Sequence, residues 1–180
     1  MHIAATAHWK CHSVELFVLE PDDVTEAYVG WLNDPAVNCY LEIRFSVHSI
    51  ETTRQFVNGC LSSPSTLLCG IRSLELQGIH VGNIKIGAID RHHGLGEVGI
   101  LIGHKAAWGR GIASSAIQLT ANIARDELGL RKLTAGCYRS NVGSQKAFLK
   151  AGFCIAGERK AHFLLDGAPE DLLLMDCILR

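Results

Sequence analysis

Residues 97–128 read EVGILIGHKAAWGRGIASSAIQLTANIARDEL. Residues 98–102 form a short apolar run typical of a buried strand, and the glycine-rich WGRGIA follows after a few turn residues. A long helix is predicted next, with Gly129 as its stop signal, because apolar residues recur at spacings of four, three and four: Ile112, Ala116, Leu119 and Ile123. One face of this helix is apolar, so we expect it to pack on a sheet.

Two glycines, Gly109 and Gly111, stand at the start of this helix. Because they lack a Cβ, an anionic ligand is able to approach the free N–H groups of the first turn, where the helix dipole favours negative charge. The prediction is a phosphate-binding turn. A P-loop is excluded, since Ile112 and Ala113 occupy the positions of its Lys and Ser or Thr. A dinucleotide fingerprint fits poorly, because basic residues stand where its acid is needed: Arg131 and Lys132.

A second strand and helix follow closely. Residues 132–138 form an apolar run, and RSNVGSQKAFLKAGF occupies residues 139–153. Asn141 is a good N-cap, Ser144 falls at the third helical position, and Gly152 fits the position just after the helix. The order is therefore strand, glycine turn, long helix, strand and Asn-capped helix.

This order resembles the GCN5-related N-acetyltransferase (GNAT) superfamily, in which WGRGIA corresponds to the Q/RxxGxG/A acetyl-CoA signature. The resemblance covers roughly residues 13–180. Trp108 replaces the usual Arg or Gln and is similar to the xWGxGxA motif of the RimJ/RimL-type branch. WLNDPAV, at residues 31–37, resembles the W-x-N-D-P-x-V segment of the same branch.

The resemblance implies an α/β fold, with a mixed, mostly antiparallel sheet of six to seven strands, a splayed central strand pair and about four flanking helices. One domain is expected over residues 13–180, after a disordered tail at residues 1–12. The hydrophobic pattern predicts helices that start at Pro21 and Ser49, and strands at residues 14–19, 67–72, 79–89, 132–138, 153–163 and 171–179.

By the same resemblance the cosubstrate is acetyl-CoA, without a metal. Its pantetheine arm would lie between the splayed strands and pair with main-chain groups of Ile100 and Ile102, while an N–H near residues 99–101 polarises the thioester carbonyl. Gly99 and Gly103 mark either a bulge there or simple backbone crowding. The implied cofactor contacts are Ile100, Leu101, Ile102, Trp108, Gly109, Arg110, Gly111, Ile112, Ala113, Ser114, Asn141, Ser144 and Phe148.

The resemblance also implies a general base. Superfamily members often place a carboxylate at the start of the central strand, where it deprotonates the amine through water, and Glu97 stands there. Glu42, His93 and His104 are the alternatives, since histidine titrates near neutral pH.

Asn141 and Ser144 are the other catalytic candidates. Asn141 matches the superfamily's Asn near the thioester, although its role as a helix cap would suffice as an explanation. Many relatives carry a Tyr that protonates the departing thiolate where this chain has Phe148, which has no proton to donate. Ser144, Tyr138 or water must then serve, unless the thiolate leaves unaided.

The segment between the first two helices lines the acceptor side in the superfamily. Its candidates for substrate contact are Tyr40, Glu42, Arg44 and His48. Glu42 and Arg44 are equally explained as a solvated ion pair, and Tyr40 as a core residue.

Composition narrows the class of protein. The net charge of −1 argues against nucleic-acid and anionic-membrane partners, and no signal peptide or spanning segment is evident, so we expect a cytoplasmic protein. The seven cysteines include no CxxC pair, which favours reduced packing residues. A metal site is not expected at the N terminus. The potential ligands there are His8, Cys11 and His12, and no second group of ligands at a matching spacing accompanies them.

Three functions are compatible with these residues. The first is acetyl transfer from acetyl-CoA to a primary amine of a small molecule, such as a nucleotide-linked amino sugar, whose phosphate or carboxylate Arg44 would meet. The second is acetylation of a protein N terminus, which the resemblance to RimL-type enzymes implies. The third is an acetyl-CoA-binding sensor that has lost catalysis. A homodimer is a family-level expectation.

Overall fold

The computed structural model describes residues 6–180. In this part of the chain, one sheet contains eight strands: β1 (His8–Cys11), β2 (Val14–Val18), β3 (Leu67–Ser73), β4 (Ile79–Asp90), β5 (Leu95–Ile102), β6 (Lys132–Tyr138), β7 (Cys154–Leu165) and β8 (Ala168–Ile178). Their spatial order is β1-β2-β3-β4-β5-β6-β8-β7. Every neighbouring pair is antiparallel except β5 with β6, which is parallel. The predicted mixed, mostly antiparallel α/β fold is confirmed.

Within residues 6–180, five α-helices flank the sheet: α1 (Glu26–Asn33), α2 (Pro35–Asn38), α3 (Ile50–Ser62), α4 (Ile112–Asp126) and α5 (Val142–Lys150). Successive residues of β2 point to opposite faces. Leu16 packs in the core that includes α4 and α5, whereas Phe17 packs in the core that includes α1 and α3. None of the helices in residues 6–180 combines the length and the hydropathy needed to traverse a bilayer.

The two central strands separate partway along their length. β5 and β6 pair only at Leu95 with Lys132, Gly96 with Leu133, and Glu97 with Thr134. Beyond that point β5 stays hydrogen-bonded to β4, and β6 to β8. We call the position where they separate, just after Glu97 and Thr134, the fork. The predicted splayed strand pair is therefore confirmed.

The sheet has one strand more than predicted because residues 8–11 are not a disordered tail. β1 pairs with β2 from His8–Phe17 to Cys11–Val14, and Trp9 packs against the main core. The hairpin turns through His12, whose φ is +47°. The sequence prediction was wrong here because no Gly, Pro or Asn marks the turn. Residues 1–5 lie outside the described residues.

The first helix also begins later than predicted. Pro21 opens only a 3₁₀ turn, Pro21–Asp23, and α1 begins at Glu26. Its N-cap is Thr25, whose hydroxyl accepts a hydrogen bond from Tyr28 N at 3.2 Å. Ser49 caps α3 as the sequence predicts.

Gly103 is explained by crowding. A Cβ built on Gly103 would lie 2.1 Å from Cδ2 of Trp31, whereas one on Gly99 would meet nothing within 4 Å. The register shift between β4 and β5 lies between Gly87 and Asp90, away from both glycines. The ring of Trp31 therefore requires a residue without a side chain where the chain leaves β5.

We expect Gly103→Ala to lower the free energy of unfolding by about 1–3 kcal/mol, since the Trp31 ring must move to admit the methyl group. Gly99→Ala is the matched control and should change this free energy by no more than about 0.5 kcal/mol. Urea unfolding of the two variants measures the difference. Equal losses would show that crowding by Trp31 is not the constraint.

Candidate active site

The N terminus of α4 has no side-chain cap. Its N-cap residue is Gly111, with φ +77°, and no side chain of residues 6–180 caps the first-turn N–H groups. The other α-helices of the described chain each have a side-chain cap, from Thr25, Asp34, Ser49 and Asn141. The first-turn N–H groups of α4 thus remain free for an anionic ligand, which the helix dipole also favours.

A cavity of about 620 Å³ lies between this helix end, α5 and the unpaired part of β5. We call it the α4 cavity. It is lined by Gly109 and Gly111 at the helix start, by Ile100 on β5, and by Asn141 and Ser144 at the start of α5. The phosphate-binding turn predicted from the sequence therefore opens into a cavity that extends into the gap beyond the fork.

Trp108 holds the turn that leads into α4. Its indole Nε1–H donates to the carbonyl oxygen of Ile102 at 2.8 Å, and the side chain is 45% exposed. Ser114 closes the turn from the helix side, because its hydroxyl donates to Gly111 O at 2.9 Å. These bonds connect the end of β5 to the first turn of α4.

Two predicted cofactor residues do not reach the cavity. Phe148 is 2% exposed and packs edge-on against Phe153, with ring centroids 4.9 Å apart. Arg110 donates from Nε to Ala106 O at 2.7 Å and is absent from the cavity lining. The other predicted cofactor residues all line the α4 cavity.

Two lysines that sequence reasoning missed also line this cavity. Lys146 and Lys150 are one turn apart on α5, a spacing that places both on one face. A Cβ on Gly111 would lie 3.9 Å from Lys150 Nζ, so the ammonium lies beside the uncapped helix end. Their spacing on an amphipathic helix was the only signal in the sequence.

A second cavity, of about 560 Å³, lies along β6 and β8 and reaches β7. We call it the β6 cavity. Glu97 lines it, at the last residue of β5 that pairs with β6. Glu42 and Tyr138 line it too, and Tyr40 and Leu41 line both cavities. The cavities therefore meet at the segment that follows α2.

The acceptor-side candidates form a network with a residue of β6. The Tyr138 hydroxyl donates to Glu42 Oε1, and Arg44 Nη1 lies 3.3 Å from the same oxygen. Arg44 also donates to Leu41 O at 2.9 Å and to Leu164 O at 3.1 Å. The guanidinium is therefore engaged by the protein itself, and since the Arg44 side chain is only 14% exposed, the pair with Glu42 is not fully solvated.

The three histidines considered from the sequence have structural contacts away from the two cavities. The His93 main-chain N–H donates to Asp90 Oδ1 at 2.9 Å in an exposed turn. His48 Nε2 lies 3.0 Å from Ile43 O. The main-chain N–H of His104 donates to Val81 O at 3.0 Å. The cavity linings include none of the three.

Comparison with known proteins identifies the family. Residues 14–154 match the acetyltransferase (GNAT) domain family, so the chain belongs to it. It is 36% identical over 67 residues to the probable N-acetyltransferase YjcK of Bacillus subtilis (strain 168), a match that covers 37% of this chain and 37% of that protein.

Solved structures share the fold at low identity. Spermidine N-acetyltransferase from Vibrio cholerae, in complex with CoA and spermine, superposes with a TM-score of 0.81 at 18% identity, over 93% of this chain and 96% of that one. The RimL ribosomal L7/L12 α-N-protein acetyltransferase, in complex with coenzyme A, gives 0.80 at 20% identity, over 94% and 96%. These two enzymes are named for acceptors as different as a polyamine and a ribosomal protein.

Burial of Tyr138 and its contact with Glu42 affect the ionisation of the tyrosine. Burial first, and next the hydrogen bond to the Glu42 carboxylate, raise the pKa of Tyr138. The pKa of Tyr138 in the folded state therefore lies above the unfolded value of about 10. The neutral side chain contributes stability that is fully present below about pH 10, and this stability is lost as the pH rises through the folded-state pKa.

We expect the near-ultraviolet absorbance difference between wild type and Tyr138→Phe to titrate above pH 10 or so. Glu42→Gln should lower this pKa without restoring the ordinary value, because burial remains. Glu75→Gln, in an exposed 3₁₀ turn, should leave the titration unchanged. An ordinary pKa for Tyr138 in the wild type would contradict the network.

Proposed function

We propose that this protein transfers the acetyl group of acetyl-CoA to a primary amine of a small molecule. The uncapped N terminus of α4, opening into a cavity beside the fork, is the observation that carries the proposal. Acetyl-CoA would supply an activated acetyl thioester at its end and a pyrophosphate along its length. The WGRGIA turn and the WLNDPAV segment support the RimJ/RimL-type branch.

The residues of the α4 cavity fit both parts of acetyl-CoA. Free N–H groups at Gly111 and the following residues, together with Lys150, suit the pyrophosphate. The unpaired main chain of β5 near Ile100 suits the pantetheine amides, because strand edges bind extended amides. The fork gives the thioester carbonyl access to the β6 cavity.

Glu97 is the proposed general base. It is exposed, lines the β6 cavity and lies where the two central strands separate. An amine in that cavity would give one proton to Glu97 as its nitrogen attacks the carbonyl carbon. A C–N bond forms, the C–S bond breaks, and the sulfur leaves as a thiolate that needs a proton.

Tyr40 is the proposed donor of that proton. It lines both cavities, and its hydroxyl donates to Ser140 O at the long distance of 3.4 Å. The Tyr138 hydroxyl is already engaged by Glu42, and Phe148 is buried without a polar atom. Tyr40 would therefore protonate the thiolate, as the Tyr at the position of Phe148 does in many relatives. A proton donor at this place favours an active transferase over a sensor without catalysis.

A protein N terminus is the second candidate acceptor. β7 is the edge strand of the sheet, and Arg159 and Phe163 on it line the β6 cavity. An extended peptide would be able to pair with such an edge.

Acetyl-CoA should raise the melting temperature of the protein, since ligand binding to the native state stabilises it by mass action. We expect Lys150→Ala to weaken binding about three- to tenfold, through loss of one charge contact to phosphate. Lys10→Ala, on the opposite edge strand β1, is the control. Calorimetry measures both affinities. The absence of any thermal shift at saturating acetyl-CoA would refute the transferase and sensor functions together.

Glu97→Gln should lower kcat about a hundredfold, because general base catalysis typically contributes 10²–10⁴-fold. Acetyl-CoA affinity should not change, since Glu97 lies outside the α4 cavity. Thiol release from acetyl-CoA in the presence of amines measures kcat, with Glu75→Gln as control. Tyr40→Phe should lower kcat about tenfold in the same assay. Full turnover by Glu97→Gln would assign the base to another residue.

A further inference from the structure

The charges that line the β6 cavity are not all available to a ligand. Glu42 is paired with Arg44 at 3.3 Å and accepts the Tyr138 hydroxyl. Asp176 is paired with Lys132. Both carboxylates are therefore neutralised by the protein itself, and neither leaves an unmatched charge for a substrate.

Two ionised side chains of opposite sign remain in the cavity. Glu97 and Arg159 both line it, and neither side chain has a hydrogen bond or an ion pair with another of residues 6–180. They are not each other's partner. A cavity with one free carboxylate and one free guanidinium has a negative and a positive end.

The sheet register shows how far apart these ends are. Glu97 pairs with Thr134 on β6, whereas Arg159 on β7 is in register, across Leu172 of β8, with Tyr138 on β6. Arg159 is thus displaced from Glu97 by four residues along the strands and by three interstrand spacings across the sheet. These displacements correspond to about 19 Å between the two Cα atoms. Because both side chains extend into one cavity, an acceptor that meets both needs several bonds between its ends.

We propose that the acceptor is a primary amine that carries a carboxylate or phosphate at its far end. This rests on the proposed acetyl transfer. The amine binds near Glu97, which takes its proton, and the anion binds Arg159 through charge-assisted hydrogen bonds. A diamine or polyamine places a second cation against Arg159 and is disfavoured by like-charge repulsion. Arg44, the anion partner expected from the sequence, is occupied, so Arg159 takes this role.

Three amines of equal chain length test the proposal: 6-aminohexanoate, hexylamine and 1,6-diaminohexane. They differ only in whether the far end is anionic, neutral or cationic. With wild-type protein and saturating acetyl-CoA, we expect kcat/KM for thiol release to fall in that order, with at least about a tenfold difference between the first and the last. The difference should lie mainly in KM, since Arg159 binds the end remote from the reacting amine.

Substitutions at Arg159 assign the effect to that residue. Arg159→Ala should remove most of the preference for the acid, and Arg159→Glu should reverse it in favour of the diamine. Both should retain wild-type affinity for acetyl-CoA, because Arg159 does not line the α4 cavity. Arg91→Glu makes the same change of charge at an exposed turn and should keep the wild-type order.

The outcomes separate this inference from the proposed function. Equal kcat/KM for the three amines, or a preference for the diamine, would refute the anionic acceptor while leaving acetyl transfer in place. An order that survives in Arg159→Glu would refute the role of Arg159. Bound acetyl-CoA with no thiol release to any amine, including a hexosamine phosphate, would refute the transferase function and this inference with it.

Discussion

The short parallel contact between β5 and β6 creates the gap beside which the candidate active site lies. A parallel pair normally continues for the length of its strands, but here it stops at Glu97 and Thr134 because β6 follows β8 instead. The main chain of β5 beyond that point faces a gap with unpaired groups. Unpaired strand groups in a protein interior need partners, and an extended ligand that contains amides would provide them.

The uncapped N terminus of α4 makes one end of that gap electropositive. Gly111 brings no polar side chain to the helix start, and the N–H groups of the first turn face the same cavity as β5. Positive partial charge at the helix end and the ammonium of Lys150 lie together. An elongated ligand with an anionic middle and an amide-containing arm would bind here with its arm toward the fork.

The acceptor segment is connected to the same turn by an ion pair. Asp34 caps α2 and contacts Lys105 Nζ at 2.6 Å, just before the turn at Trp108. The hydrogen bond from Lys105 lowers the pKa of Asp34. Tyr40, which follows α2, is thus connected through Asp34 to the turn that leads into α4. Tyr40 and Leu41, which line both cavities, are therefore joined to this turn by a short chain of contacts.

The sequence predicted local features well, because they depend on short-range physics. The glycine turn, the periodicity of α4, the cap at Asn141 and the strand at Lys132–Tyr138 each follow from residues a few positions apart. It failed at β1, where pairing with β2 rather than any turn residue orders the chain. The family resemblance added the splayed strands, which no local pattern specifies.

The tertiary structure alone decided which side chains meet at the candidate site. Tyr138 and Glu42 are 96 residues apart, and Tyr40 and Ser140 are 100 apart, so no spacing rule predicts either contact. The same long-range folding engages Arg44 and leaves Arg159, which lines the β6 cavity, without a side-chain partner among residues 6–180. Charge in a sequence is countable, but whether a charge is already neutralised depends on neighbours that only the folded chain supplies.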